Sequence, residues 1–212
     1  LRADAETLDE LLNVVASAVG SLTNPTRLAN TFQSVKGLKI KNETISTYLD
    51  CFIDAYILSK SYRYDIKGRS YIDTPLKYYF TDIGLRNARL NFRQQEENHI
   101  MENILYNELM ARGFNIDVGV VEYNHTVAGK KIRTQLEIDF VVNLADKRYY
   151  IQSALTVADE EKRQQEVNSL NRIDDSYTKI VVVRDNILPW TDERGVQYIN
   201  IEDFLLEKIN EL

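Results

Sequence analysis

Apolar residues in this chain change their spacing, and that change limits the folds open to it. Up to about residue 55 they recur at helical intervals: Leu8, Leu11, Leu12, Val15 and Val19; then Leu28, Ala29, Phe32 and Val35; then Ile45, Tyr48, Leu49, Phe52 and Ile53. From Tyr56 the pattern turns extended, over Tyr56–Tyr64 and Ser70–Thr74, with a turn through Asp65, Lys67 and Gly68. Asn24 before Pro25 marks a helix start, because the amide oxygen can cap free N–H groups and proline tolerates the first helical position. Gly20 and Gly37 are natural stops. Helices followed by strands predict an α+β chain.

A second run of elements begins near Asn98. Ile100, Met101, Ile104, Leu105 and Leu109 predict a helix closed by Gly113. Strands follow at about 115–126, 132–143 and 148–157, then a polar helix at 159–172, a strand at 179–184, a short strand at 197–201 and a last helix through Phe204, Leu205 and Ile209. The expected division is 1–97 and 98–212, joined by a short charged stretch at Asn87–Glu97. The chain begins at Leu1, without Met and inside a helical pattern, and is expected to be a piece of something longer.

Charge is unevenly placed. The net charge is −6, yet Arg27–Arg93 holds 12 Lys/Arg against 6 Asp/Glu. A basic segment in an acidic chain can serve a polyanion locally. One cysteine, Cys51, excludes a disulfide framework and a Cys-rich zinc site, and Cys51 is expected as a small buried hydrophobe. Two histidines leave little for imidazole metal chemistry; His99 is expected near a helix start and His125 in a turn. No apolar run reaches the roughly 20 residues that cross a bilayer, and no signal-peptide pattern opens the chain, so a cytoplasmic protein without a membrane partner is expected.

Three helices and a two-stranded ribbon are the plan of a winged helix-turn-helix. Its chemistry would come from the third helix, through Thr44 and Thr47, and from ribbon cations Lys60, Arg63, Lys67 and Arg69 on phosphates. Glu43 and Asp50 on the same helix oppose that use, and a packing role for the unit is an equal alternative. Tyr78, Tyr79 and Phe80 are expected in the core.

Helix, three strands, helix, strand is the core order of the PD-(D/E)XK restriction-endonuclease-like fold, an α/β domain with a mixed central sheet. Such a site needs carboxylates to hold Mg²⁺ and a lysine to steady charge, the acid-x-Lys pair being aimed at one point by its spacing of two on a strand. Here Glu102 stands on the first helix. Asp139 lies in Leu136–Val142, where Leu136, Ile138, Phe140 and Val142 are expected to alternate inward. Gln152 and Ala154 occupy the acid and lysine positions. A neutral amide is a poorer Mg²⁺ ligand and alanine brings neither charge nor proton, so no catalysis is expected. Gln152 is a candidate amide partner for Asp139. The alternative is an active nuclease rescued by Lys162 or Arg163, with Glu102 and Asp139 as the candidate metal ligands.

Residues Asn24–Ala29, Thr44–Leu49, Tyr71–Leu85, Met101–Asn103 and Glu137–Phe140 together resemble the C-terminal region of a large prokaryotic group of AAA-type ATPases. In these a P-loop domain precedes a winged helix and a nuclease-like domain of unknown function. The resemblance implies a non-catalytic module that binds DNA or a partner, including the ATPase domain of the same protein or a second copy of the chain. Members often carry an acid and a lysine where this chain has Gln152 and Ala154. No Gly-x-x-x-x-Gly-Lys-Ser/Thr loop occurs, so the ATP and Mg²⁺ of such a protein belong to a part absent here, and no cofactor is expected in this chain.

Overall fold

The computed structural model describes residues 5–93, 96–127 and 129–206. Expectations for Ile209 and for Gln94 and Gln95 of the charged stretch lie outside these residues. The chain forms two compact units, Leu1–Ser61 with Asp73–Ile104 and Tyr62–Ile72 with Leu105–Leu212. The division thus differs from the expected 97/98 boundary, because a hairpin and a helix each run from one unit into the other.

In the first unit α1 (Ala5–Ser17), α2 (Pro25–Lys36) and α3 (Asn42–Asp54) precede the hairpin of β1 (Leu58–Asp65) and β2 (Ser70–Phe80). Asn24 Oδ1 accepts the Arg27 N–H at 2.8 Å, and Gly37, at φ +70°, closes α2 with its N–H on the Gln33 carbonyl. Leu11, Val15, Leu28, Phe32, Ile45 and Leu49 form the centre of the core. Thr23 bridges Leu76 in antiparallel fashion, giving β2 a further neighbour.

β2 runs beyond the expected Thr74 to Phe80, and Tyr78, Tyr79 and Phe80 are buried. A short helix, α4 (Ile83–Arg89), follows, capped by Asp82 Oδ1 on the Leu85 N–H. Its Arg86 is fully buried, with Nε donating to the Ala16 carbonyl. Cys51, expected to be buried, is exposed. The core-facing stripe of α3 is Ile45, Tyr48, Leu49 and Phe52, and residue 51 falls on its flank.

The second unit holds the distal hairpin and the end of α5 (Glu97–Ala111), then β3 (Asn115–Val127), β4 (Lys130–Leu144), β5 (Lys147–Ala154), α6 (Glu160–Val167), a 3-10 turn at Leu170–Arg172, β6 (Thr178–Val183), β7 (Trp190–Thr191), β8 (Val196–Asn200) and α7 (Ile201–Leu206). The strand order is β2-β1-β3-β4-β5-β6-β8-β7. Pairing is parallel for β1–β3, β5–β6 and β6–β8 and antiparallel for β3–β4, β4–β5 and β7–β8, so the sheet is mixed. Ile138, Val141, Tyr150, Val181 and Leu170 are fully buried in one cluster.

That cluster corrects the expected alternation of β4. Asp117 faces Val141 but Gly119 faces Ile138, so three steps of β4 oppose two of β3. The extra residue is a β-bulge, and it brings Ile138 and Val141 into one core. Glycine suits the bend: a Cβ at Gly119 would lie 2.8 Å from Val141 Cγ2 and 2.9 Å from the Ile138 Cβ. His125, expected in a turn, lies in β3 and stacks on Tyr123.

Candidate functional site

The β4–β5 ladder runs from Leu144↔Lys147 to Phe140↔Ile151. One step beyond, Asp139 enters with its side chain: Oδ2 accepts the Ser153 N–H at 2.8 Å. The Asp139 N–H reaches Gln152 Oε1 over a long 3.4 Å. Gln152 also hydrogen-bonds Glu166 of α6, and burial pushes the Glu166 carboxyl up against the lowering effect of that bond. The amide therefore ties β4 and α6 together, meeting the backbone of Asp139 rather than its carboxylate.

Ala154 is 3% exposed within the apolar cluster, opposite Val183 of β6. A methyl is what that position accommodates without a buried charge.

Glu102 belongs to the first unit and Asp139 to the second. Lys77 Nζ, at 2.7 Å, and Tyr79 OH, at 2.6 Å, both donate to Glu102 Oε1, and both side chains of the ion pair are almost completely buried. One residue on, Asn103 accepts the Phe80 N–H and donates to the Phe80 carbonyl, locking the end of β2 to α5. Sequence reasoning missed Lys77. Its signal was a lone ammonium in the otherwise apolar run Leu76–Phe80, which requires an opposite charge.

Lys162, the candidate substitute for a lysine at 154, pairs on its own helix turn. Its exposed Nζ lies 3.8 Å from Asp159 Oδ2. Arg163 pairs with Glu160 and lies over the Trp190 ring at 5.6 Å. Among the described residues no three His, Cys, Asp or Glu side chains gather as metal ligands. The donors around Asp139 do not suit Mg²⁺: one carboxylate oxygen holds a backbone N–H, the neighbouring ligand position is an amide, and the next is a methyl.

The expected nucleic-acid residues divide. Lys67 and Arg69 are exposed at the hairpin tip, where Asp65 Oδ1 accepts the Lys67 and Gly68 N–H groups. Lys60 and Thr44 are half-buried, and Thr47 returns its hydroxyl to the Glu43 carbonyl. Arg63 departs from the expectation. It is 9% exposed and donates to Gln135 Oε1 of β4 at 3.0 Å. Alternation along β1 places it on the face opposite Tyr62 and Tyr64, turned into the sheet.

Glu166 supplies a pH test. Its native pKa is raised above the ordinary 4.5, so the folded chain binds this proton more readily than the unfolded one. Its contribution to stability is full below 4.5 and is lost as pH rises through the higher native value. In urea titrations across that window, Glu166→Gln is expected to remove a downward slope present in the wild-type chain. Identical slopes would show that Glu166 does not titrate differently on folding.

Residues 1–96 match a domain of unknown function, DUF8612. An uncharacterized protein of Haemophilus influenzae is 31% identical over 204 residues, which is 96% of this chain and 47% of that protein. An uncharacterized protein of Methanocaldococcus jannaschii is 28% identical over 195 residues, 91% of this chain and 40% of that protein. A crystal structure of a Vibrio cholerae protein aligns with 95% of this chain and 55% of its own at a TM-score of 0.30 and 11% identity. The chain therefore spans less than half the length of the two curated relatives it matches.

Proposed function

We propose that this chain is a non-catalytic module of a longer protein, an AAA-type ATPase, and that it engages DNA through the exposed cations at the tip of the β1–β2 hairpin. The observation that carries the non-catalytic reading is the bonding around Asp139. Its Oδ2 holds the Ser153 N–H, and Ala154, buried among apolar side chains, stands where a nuclease of this plan places lysine. Water activation at such a centre needs a bound cation and a charge-steadying group, and the donors present supply neither.

The helical unit supports a winged-helix reading. Its support is the element order, three helices, the Thr23–Leu76 bridge and then the β1–β2 hairpin, whose tip in the second unit exposes Lys67 and Arg69. The order α5, β3, β4, β5, α6, β6 supports a nuclease-like plan for the second unit. Relatives more than twice as long leave room for a motor domain.

Electrophoretic shift of a DNA duplex tests the binding. Retardation is expected at low salt. With roughly four phosphate contacts, affinity should fall on the order of a hundredfold between 50 and 200 mM salt. Absence of a shift at low salt would remove DNA from the proposal. Incubation with Mg²⁺ or Mn²⁺ should leave the DNA intact, and cleavage abolished by Asp139→Ala would make the chain a nuclease.

A further inference from the structure

The β3–β4 hairpin is longer than the sheet it belongs to. β1 accompanies β3 only as far as Val120, and β5 accompanies β4 only over Phe140–Leu144. Beyond them, seven cross-strand pairs from Val121↔Leu136 to Val127↔Lys130 join these two strands alone among the described residues. At 3.3 Å per residue the projecting ribbon is roughly 20 Å long. An isolated two-stranded ribbon is marginal in water, so this one needs bracing or a partner.

The base is braced. Arg63 bonds Gln135, Gln135 Nε2 bonds Glu122 Oε1 at 2.6 Å, and Arg133 pairs with the same carboxylate. On the other face the Arg172 guanidinium lies 3.7 Å from the centre of the Tyr123 ring, and Tyr123 stacks on His125. These contacts hold the ribbon's direction but leave its outer half exposed.

The ribbon is cationic in a chain of net charge −6. Its residues 121–136 hold Lys130, Lys131 and Arg133 against one acid, Glu122, which stands at the base and pairs with Arg133. Cross-strand pairs share a face, which places Asn124, Thr126, Lys131 and Arg133 together. The exposed apolar pair, Val127 and Ile132, lies on the opposite face with Lys130. A protein partner would call for an aromatic or aliphatic anchor at the centre of its contact, and the polar face has none. Amide, hydroxyl, ammonium and guanidinium groups on a two-stranded ribbon suit phosphates and base edges, and a DNA major groove about 12 Å wide admits such a ribbon.

We infer that the β3–β4 ribbon is a second DNA-contacting arm, which lays its Asn124, Thr126, Lys131 and Arg133 face against a duplex. The inference rests on the proposed DNA engagement and adds a surface apart from the β1–β2 hairpin tip.

The test is fluorescence anisotropy of the 212-residue chain with a labelled mixed-sequence duplex across a salt series. Lys131 is exposed on that face, so Lys131→Gln is expected to leave the urea midpoint unchanged. It should weaken binding about fivefold at low salt and lower the salt slope by roughly 0.9, the value for one lost phosphate contact. Lys131→Arg should restore both. Unaltered affinity and slope in the glutamine variant, with loss on Lys67→Gln/Arg69→Gln, would overturn the arm and keep the hairpin-tip contact. Loss in the arm variant alone would keep the arm and remove that contact. No binding by the wild-type chain would end both, and equal affinity for poly-glutamate would end the assignment to DNA.

Discussion

Lys77→Met is expected to destabilise the first unit by about 3–5 kcal/mol, the usual penalty for leaving one member of a buried ion pair without the other. Lys77 Nζ and Tyr79 OH converge on a single oxygen of Glu102, and the side chains of the pair are 3% and 10% exposed. Without the ammonium, the carboxylate keeps one neutral donor in a site closed to water. Urea denaturation reads the loss directly. Glu102→Gln should also be costly, because it removes the carboxylate 2.7 Å from the buried Lys77 ammonium. The triple variant Lys77→Met, Glu102→Met and Tyr79→Phe should recover most of the stability, since a well-packed apolar replacement removes the desolvation cost of both ions and leaves no phenol without an acceptor. A Lys77→Met variant within about 1 kcal/mol of the wild-type chain would show that the pair contributes little. These outcomes bear on function. An acid retained for phosphodiester cleavage would be expected to lose activity on amide substitution with its fold intact, whereas Glu102 is expected to lose fold.

Asp139→Ala is expected to cost about 1–3 kcal/mol by leaving the Ser153 N–H without its acceptor where the β4–β5 ladder ends. Asp139→Asn retains an acceptor oxygen and should cost clearly less. A metal site would rank them differently, because an amide is a poor substitute for a carboxylate on a hard cation. Adding Mg²⁺ to the wild-type chain should therefore leave its urea midpoint unmoved; a ligand held at a hundred times its Kd would add about 2.7 kcal/mol. A Mg²⁺-dependent gain that disappears in Asp139→Asn would refute the proposed role of this carboxylate.

Much of the architecture was legible in one dimension. The three helical stripes, the Asn24–Pro25 start and the Gly37 stop depend on interactions over three or four residues and are found where the spacing put them, except that Val35 is exposed and Val19 lies beyond the end of α1. The strands of the second unit and its polar helix also follow from local period and composition. α4 and the two-residue β7 were not anticipated. One is seven residues long and the other two, too short to display a period. Cys51 shows the limit of counting neighbours in sequence: one step around the helix separates the core stripe from solvent.

The candidate site was legible as a set of residue types and illegible as a set of bonds. Gln152 and Ala154 already showed that these two positions of β5 bring no charge. Yet the residue types do not tell that Glu102 accepts from Lys77 and Tyr79, or that Asp139 accepts the Ser153 N–H. The bulge that displaces the alternation of β4 leaves only a glycine as its trace in the sequence, because a bulge is a relation between two strands.

By itself, then, the amino-acid order determined the α+β class, most helix ends, the strand positions and the lack of an acid and a lysine at 152 and 154, since each of these depends on neighbours a few residues away. Tertiary structure alone decided that Arg63 braces a ribbon 72 residues further along, that Lys77 neutralises an acid 25 residues away, and that Asp139 closes a backbone ladder. A long side chain buried in a folded chain must satisfy its charge with whatever the topology brings within about 3 Å, and no local pattern encodes which group that will be.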